Sequence, residues 1–335
     1  MTFPMKKAIA SRLLCRSGLR RLLHRTVRWS GVLVLNYHRI GDALDSPFDR
    51  GLWSASAEAF AEQIRFCRTE LEIIDPADLP RVLAANRGRY AMITFDDGYR
   101  DNYQTALPIL RGEGVSATFF VATGFIDAPS LPWWDEIAWM VRGSRREALH
   151  LPAWFDAPIA FDEPQREAAV RRLLRKYKEM PERTTAAFLD AVADAAGTGR
   201  AGPRAGDALW MDWDMLREMQ AAGMTIGGHT VHHPVLSRMS AQGQRDEIQG
   251  CARRLAEELG APMRCFSYPV GNRGAFDQIT RDCLREAGVE HAFSYYGGHA
   301  RYDRWDAYDI PRVAVETELD TDWFRSLVTL PQLFA

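Results

Sequence analysis

Short apolar runs alternate along the chain with segments whose apolar residues recur at helical spacing. A continuous apolar run bounded by turn residues is typical of a strand that is buried on both faces. Such runs predict strands at residues 32–37, 71–74, 90–95, 116–121, 224–226, 264–268, 291–295 and 310–315. The chain is therefore predicted to contain a largely buried sheet of about eight strands.

Segments with helical periodicity lie between these runs, at residues 56–68, 78–85, 103–110, 214–222, 242–259 and 276–287. Strands that alternate with helices favour a parallel α/β architecture. Periodicity alone does not separate a closed barrel from an open doubly wound sheet. The alternation lapses at about 127–210, and this stretch is predicted to be an insertion with a charged helix at 163–179.

Two adjacent carboxylates, Asp96 and Asp97, end the run at 90–95 and are followed by Gly98. Like charges side by side cost free energy unless a cation or a shared proton relieves them. One interpretation is a solvated Asp-Asp-Gly turn, because such turns are common. The other is a site in which one carboxylate binds a metal while its neighbour takes a proton.

A second motif follows the run at 224–226 and reads Gly-Gly-His-Thr-Val-His-His-Pro from Gly227 to Pro234. It places His229 and His233 four residues apart. Two imidazoles and a carboxylate suit a divalent transition metal such as zinc, and three protein ligands leave a coordination position open for water. The two motifs together favour a metal site over a solvated turn.

These motifs resemble those of the polysaccharide deacetylase family, which is carbohydrate esterase family four or the NodB-homology domain. Its first motif, Thr-Phe-Asp-Asp-Gly, is present from Thr94 to Gly98, and its second, His-Ser/Thr-x-x-His, is present from His229. The resemblance covers the core from Val32 to Val315, except for the insertion. It implies a distorted (β/α) barrel of seven or eight strands with a helical insertion, and metal-dependent removal of an acyl group from a sugar.

Carried over residue by residue, the resemblance implies that Asp97, His229 and His233 bind a divalent metal, with zinc as the expected ion. It implies that Asp96 is the catalytic base. His232 is then expected to point away from the metal.

The third motif of the family departs from its usual form. Where the family often has Arg-x-Pro-Tyr, the chain has Ser267 at the arginine position, followed by Tyr268, Pro269 and Val270. This resembles the branch that carries Tyr-Pro there, and these three residues are expected at the substrate, with a backbone N–H near Val270 helping to hold an oxyanion. The arginine that tethers the base is then expected to be Arg312.

The late Leu-x-Leu-His motif, which supplies the general acid in the family, is absent. The chain resembles instead the poly-N-acetylglucosamine deacetylase branch, in which an early Tyr-His supplies it, and Tyr37-His38 fits that pattern. In a closed barrel the first and last strands are neighbours, so both positions reach the same point. The alternative is that His38 is structural, as a lone histidine after a strand usually is.

The aromatic residues of the insertion also have two interpretations. They stack on sugar rings, or they simply hold a small subdomain together, which is the commoner role of such residues. The tryptophans concerned are Trp133, Trp134, Trp139 and Trp154.

The first 28 residues contain eight basic residues and no acidic one, and their leucines recur at helical spacing. We interpret residues 1–30 as a basic amphipathic segment and residues 31–335 as the barrel with its insertion. Peripheral contact with an anionic membrane and packing on the chain's own domain are both open. Nucleic-acid binding is disfavoured, because further basic clusters and aromatic platforms are missing.

The five cysteines are odd in number and widely spaced, without a Cys-x-x-Cys pair, which indicates a reducing compartment. Neither a signal peptide nor an apolar run of membrane-spanning length is evident. The expected location is cytoplasmic, with peripheral membrane contact through residues 1–28 left open.

The leading hypothesis is a deacetylase of N-acetylated sugars in a surface polysaccharide or a lipid-linked glycan precursor. The alternatives are an amidohydrolase or deformylase of a small non-glycan amide, and an inert sugar-binding module. Serine-hydrolase and dinucleotide-binding classes are disfavoured, because Gly-x-Ser-x-Gly and Gly-x-Gly-x-x-Gly do not occur.

Overall fold

A computed structural model describes residues 3–26, 29–44, 46–161 and 165–335. The strands in this part of the chain are β1 (Gly31–Tyr37), β2 (Arg39–Ile40), β3 (Trp53–Ala55), β4 (Glu72–Ile73), β5 (Arg89–Phe95), β6 (Thr118–Val121), β7 (Ala148–Leu149), β8 (Ile159–Ala160), β9 (Thr225–Gly228), β10 (Cys265–Ser267), β11 (His291–Phe293) and β12 (Arg312–Ala314).

Seven parallel strands of the described chain form a nearly closed barrel, in the order β11-β10-β9-β6-β5-β1-β12. The ring closes where Phe293 of β11 forms a parallel bridge with Ile310, just before β12. The strand β4 pairs with β5 outside this ring. The distorted (β/α) barrel is therefore confirmed, with seven strands in the ring and an eighth attached to it.

The helices pack around this ring and in the insertion. Those of the described chain are α1 (Phe3–Arg16), α2 (Leu19–Thr26), α3 (Ala57–Glu70), α4 (Leu79–Ala85), α5 (Leu107–Glu113), α6 (Thr123–Asp127), α7 (Trp133–Gly143), α8 (Arg166–Glu179), α9 (Thr185–Ala196), α10 (Trp213–Ala221), α11 (Ala241–Leu259), α12 (Gln278–Glu286), α13 (Thr321–Thr329) and α14 (Pro331–Phe334). Several begin at an Asp or Ser whose side chain accepts a first-turn N–H, as at Ser56, Ser240 and Asp320.

Successive strand residues face opposite sides of the barrel wall. Val34 and Met92 belong to a small apolar cluster inside the ring, together with Phe120. Leu35 and Ile93 belong to the larger core between the ring and the helices. Since both faces of the strands are buried, the runs in the sequence are apolar throughout instead of alternating.

All the strands predicted from apolar runs are present, and their ends differ from the predicted ends by at most two residues. The strands β2 and β3, which pair with each other, were not predicted, and neither was the antiparallel pair β7 and β8.

The stretch between β6 and β9 contains α6 to α10 and the β7–β8 hairpin, with α7 packed against α8 and α9. Trp133 stacks on Tyr177 of α8 with ring centroids 4.1 Å apart, and Trp154 packs edge-on against Phe188 of α9 at 5.3 Å. Trp133 and Trp154 thus help to hold the helices of this stretch together, and the stacking of its tryptophans on sugar rings stays a prediction.

The N-terminal helices pack on the chain's own domain. α1 lies against α13, where Arg12 pairs with Asp320 at 2.8 Å, and Arg20 in α2 lies 3.6 Å from Glu70. Among the side chains that the structure describes here, Ile9, Leu13, Leu19 and Leu22 are still exposed. Within the described ranges, every helix is too short or too polar to cross a bilayer.

Candidate metal and catalytic site

The residues selected from the sequence gather at one end of the barrel. His38 follows β1, Asp96 and Asp97 follow β5, His229 follows β9 and Tyr268 follows β10. Because parallel strands all end at the same face of a barrel, their following residues converge there. A cavity of about 210 Å³ at this face is lined by all five, and by His233.

Asp97, His229 and His233 form a compact, buried cluster. Nε2 of each histidine lies 3.4 Å from Oδ1 of Asp97, and the three ligand atoms are within 4.8 Å of one another. Oδ1 of Asp97 has no hydrogen-bond donor among the described residues although it is buried. A buried carboxylate oxygen without a donor, facing two imidazole nitrogens, fits a divalent metal.

The hydrogen bonds of His229 prepare it for coordination. Its Nδ1–H donates to the carbonyl oxygen of Ser267 at 2.7 Å, since a carbonyl can only accept. This bond fixes the tautomer and leaves the lone pair of Nε2 directed at Asp97. A backbone carbonyl on the second nitrogen is the usual support of a metal-binding histidine.

The charges of the ligands also suit a cation. Burial lowers the pKa of His233 to about 3, and the neighbouring His229 acts in the same direction, so this imidazole is neutral near pH 7. Burial alone would raise the pKa of Asp97, but the adjacent rings of His229 and His233 hold it below its ordinary value. One carboxylate and a neutral imidazole are the protonation states that a metal requires.

The backbone is strained around this cluster. Asp97, Thr230, His233 and Val270 have φ values of 75°, 68°, 56° and 64°, in the left-handed region that L-residues rarely adopt. Each such conformation costs on the order of 1 kcal/mol or more and persists only when its surroundings enforce it. The turns made by these positive-φ residues place the side chains of Asp97 and His233 in the cavity wall.

Asp96 is held by a buried arginine, Arg312, as predicted from the sequence. Arg312 donates from both terminal nitrogens to the two carboxylate oxygens of Asp96, at 2.8 Å each. Oδ2 also accepts from Asn36 and from Ser267, both at 3.2 Å. Oδ1 has Arg312 as its single donor in the described chain, so it keeps a lone pair for the cavity.

The charge of Arg312 decides the protonation state of Asp96. Burial alone would raise the pKa of this carboxyl, but Arg312, with His229 as the next contributor, holds it well below its usual range. Asp96 is therefore an ionised acceptor at any working pH. Ser267, at the position where the family often has its arginine, donates to Asp96 and accepts from Arg312 at 2.7 Å.

His38 lies in the cavity wall, with its ring edge-on to Tyr295 at a centroid distance of 5.7 Å. Its backbone is fixed at both ends, since its N–H donates to Ser54 at 2.9 Å and its carbonyl accepts from Asn102 at 2.6 Å. Two later histidines lie elsewhere. His291 is the first residue of β11, at the opposite end of that strand, and His299 packs against Trp29 before β1.

Two of the three residues expected at the substrate from the third motif line the cavity, and one does not. Tyr268 and Val270 line the cavity, but Pro269 is not among the described residues of its wall. The hydroxyl of Tyr268 donates to the carbonyl of Tyr308 at 2.7 Å, and its ring stacks on Phe276. Tyr268 is thus held in place as part of the cavity wall. Within the described chain, the backbone N–H of Val270 has no hydrogen-bond acceptor.

His232 points away from the cluster, as expected. Its Nδ1 lies 2.8 Å from Glu247, and its side chain is 69% exposed. The same carboxylate accepts the backbone N–H groups of Val231 and His232 and so fixes the loop between the two ligands.

Several cavity residues were missed from the sequence. Glu316 lies in the wall beside Tyr295, whose hydroxyl is 3.4 Å from it, and burial raises the pKa of Glu316. Lys178 of α8 also lines the cavity, as do Trp133 and Trp134, two of the tryptophans considered from the sequence for stacking on sugar rings; Trp134 packs edge-on against His233 at 4.4 Å. The position of Glu316 just after β12 was a usable signal, whereas nothing in the sequence locates Lys178.

One protein-family model matches this chain over most of the barrel strands and part of the stretch between β6 and β9. The family model described as polysaccharide deacetylase matches residues 84–148 and 156–292, more than half of the chain. A short segment is 60% identical to the Bacillus subtilis protein YxkH over 30 residues, which are 9% of this chain and 11% of YxkH. The chain therefore matches only a small part of that relative's length.

Solved structures share the fold. The chain is similar to the Streptococcus pyogenes deacetylase PplD, solved in complex with acetate, with a TM-score of 0.59 and 17% identity over 91% of this chain and 98% of that one. It is also similar to IcaB from Ammonifex degensii, with a TM-score of 0.55 and 20% identity over the same shares of the two chains. At these identities the likeness concerns the fold alone.

Proposed function

The chain belongs to the polysaccharide deacetylase family, and we propose that it is a metal-dependent hydrolase that removes the acetyl group from N-acetylated sugars. The expected substrates are a surface polysaccharide or a lipid-linked glycan precursor. The observation that carries this proposal is the convergence of Asp97, His229 and His233 beside the tethered Asp96 in one cavity. A module that only binds sugar needs neither a ligand cluster nor a buried base.

Asp97 and the two histidines would hold the metal, with zinc as the proposed ion. A bound divalent cation polarises the acyl carbonyl and lowers the pKa of water. The donor set of two imidazoles and one carboxylate supports zinc over calcium or magnesium, which prefer oxygen ligands throughout.

Asp96 accepts the proton of the attacking water through Oδ1, the oxygen that Arg312 leaves with a free lone pair. The water oxygen forms a bond to the carbonyl carbon, and negative charge develops on the carbonyl oxygen. Val270 lines the cavity, and its N–H, which has no acceptor in the described chain, is proposed to donate to that oxygen.

His38 is proposed to donate a proton to the sugar nitrogen as the carbon–nitrogen bond breaks. Acetate and the free amine then leave. Histidine suits this role because it can carry a proton near neutral pH. His38 is supported over His291 and His299, because it is the one of the three in the cavity wall.

The test is release of acetate from N-acetylglucosamine oligomers by the zinc-loaded protein, measured by mass spectrometry. Asp96→Asn should keep the fold and the metal while the rate falls by roughly 10²-fold or more. Asp127→Asn, which alters a carboxylate paired with Arg254 on the surface, is the matched control. Hydrolysis of simple amides but not of sugars would favour the amidohydrolase or deformylase alternative, and metal binding without any hydrolysis would favour the inert module.

A further inference from the structure

Helix α8 lies between β6 and β9 in sequence. Basic side chains form a row on the face of this helix that borders the catalytic cavity. Arg171, Arg175 and Lys178 are spaced four and three residues apart, so they lie on the same side of the helix. Arg171 and Lys178, with Leu174 between them, form part of the wall of the cavity that contains Asp97.

A second cavity continues from this wall. It has a volume of about 370 Å³ and shares Arg171, Leu174 and Lys178 with the catalytic cavity. Its other charged residues are Arg175 and Arg238, with Glu179 as the single acid in the described lining. The two cavities thus form a cationic groove, defined here by Arg171, Arg175, Lys178 and Arg238, that ends at the metal ligands.

Among the described residues, the arginines of the cationic groove lack ion-pair partners, unlike many other arginines. Within the described chain, Arg171, Arg175 and Arg238 have no carboxylate within 4.0 Å. Surface arginines elsewhere do have one, as in the pairs Arg254–Asp127, Arg245–Glu286 and Arg217–Glu258.

Clustered cations without counter-charges repel one another and raise the local electrostatic potential. The fourth cation, Lys178, is half-buried, with its nitrogen 5.9 Å from the ring centroid of Trp133, and unlike the three arginines it has carboxylates acting on it, those of Asp49 and Asp97. A cationic wall of this kind attracts an anion and, at short range, offers guanidinium forks that match phosphate or carboxylate oxygens.

We propose that the cationic groove binds an oxyanion carried by the acyl sugar, so that the preferred substrate is an anionic glycan with a phosphate or a carboxylate near the acetylated position. This inference rests on the proposed function, because it places the acetyl group at Asp97, His229 and His233. The groove then selects among acetylated sugars by their charge. Its arginines hold the substrate and take no part in the bond-breaking step.

The test compares three substrates: a neutral N-acetylglucosamine tetramer, a tetramer with a terminal phosphate, and a hyaluronan oligomer, in which N-acetylglucosamine alternates with a uronate. The wild type should show a higher kcat/KM for at least one anionic substrate than for the neutral one. In the Arg175→Gln/Arg238→Gln double variant this preference should fall about tenfold or more, the scale of losing one charge-assisted hydrogen bond. The phosphate and uronate arms distinguish the two sources of the oxyanion.

Arg172→Gln is the matched control, because this arginine lies on the same helix but packs over Phe155 at 4.9 Å instead of lining the cationic groove. It should leave the preference unchanged. Raised salt should reduce the preference of the wild type.

Binding without turnover separates this inference from the proposed function. Calorimetric titration with the phosphorylated tetramer and the uronate oligomer should show weaker binding to the double variant than to Arg172→Gln. Equal binding of both anionic probes to the two variants, or a wild type without charge preference, overturns the inference even if acetate is released. Preferential binding without release of acetate from any sugar supports the groove and refutes the deacetylase.

Discussion

The guanidinium group of Arg312 holds both carboxylate oxygens of Asp96 inside the barrel, although the two residues are 216 positions apart in sequence. They meet because β5 and β12 flank the same strand, β1. Asn36 of β1 contacts both, accepting from Arg312 and donating to Asp96. The carboxylate proposed as the base is therefore positioned by the strands of the closed ring.

Arg312→Gln should shift the acid limb of the pH dependence of kcat/KM to higher pH. The sign follows from the causes of the pKa shift in Asp96. Burial raises this pKa and Arg312 lowers it, so removing the cation leaves the rise unopposed. The base is active when ionised, and its protonation then inactivates the enzyme at a higher pH.

The control for this experiment is Arg281→Gln, which breaks a more exposed pair with Asp306. Loss of one partner of a buried pair also costs about 3–5 kcal/mol of stability, so thermal unfolding should be recorded beside the profile. A folded Arg312→Gln protein with an unshifted acid limb would contradict the assignment of Asp96 as base.

Asp97→Ala and His233→Ala should each lower metal content and activity together, since each removes one of three ligands. The measurement is metal stoichiometry by mass spectrometry after gel filtration, combined with acetate release. His232→Ala is the matched control, because its side chain is largely exposed and pairs with Glu247 outside the cavity. Full metal occupancy in both ligand variants would refute the site.

Much of this site was predictable because its residues follow predicted strands. The end of an apolar run located Asp96, Asp97 and His229, and the serine at the usual arginine position of the third motif made Arg312 the expected tether of Asp96. The role of α8 was not predictable in the same way. Lys178 reaches the cavity through the packing of α7, α8 and α9, and a charged helix looks the same in sequence whether or not it faces a cavity.

Asp135 should make stability depend on pH between about 4 and 7. It is fully buried, and burial raises its pKa to about 7, above the ordinary value of 3.8. The folded state therefore binds the proton more tightly than the unfolded state does. The resulting stabilisation is complete below pH 3.8 and is lost as the pH rises through about 7, by at most about 1.4 kcal/mol per unit.

Asp135→Asn should remove this slope. The comparison is the free energy of unfolding by urea at several pH values for the wild type and for Asp135→Asn. The carboxyl accepts hydrogen bonds from the backbone of Asp49 and the hydroxyl of Tyr99, at 2.9 and 2.7 Å. An identical pH slope in both proteins would show that Asp135 titrates normally.

Peripheral membrane contact through residues 1–28 stays a proposal, and the structure narrows its test. Because α1 packs on α13, deleting residues 1–28 would expose the face of α13 that α1 covers. Leu13→Ser combined with Leu22→Ser alters side chains that are 66% and 57% exposed and should weaken binding to anionic vesicles while the fold is kept. Ile279→Ser, at an exposed position in α12, is the control.

Each cation near the surface contributes about 1 kcal/mol at low salt, so vesicle binding should also fall as salt is raised. Sedimentation with vesicles of increasing anionic lipid content measures both effects. If vesicle binding changes neither with the two serine substitutions nor with the salt concentration, the proposed membrane contact is refuted. The segment would then only pack on its own domain.

His38→Ala should keep metal and substrate binding and lose kcat on amide substrates. The departing amine needs a proton when its bond to the acyl carbon breaks, whereas the leaving group of an activated ester needs little protonation. The loss should therefore be much smaller on an activated acetyl ester than on an N-acetyl sugar, and a purely structural role of His38 would reduce both rates equally. His291→Ala and His299→Ala, both outside the cavity, should turn over the amide normally.

Glu316 is the competing proton donor, because burial raises the pKa of its carboxyl and it lies in the same cavity wall. Glu316→Gln keeps the shape of the side chain and should retain amide turnover if His38 is the acid. If Glu316→Gln loses the amide reaction selectively while His38→Ala does not, the proton comes from the carboxyl. The resemblance to the branch with an early Tyr-His would then fail at this step, because His38 would only pack against Tyr295.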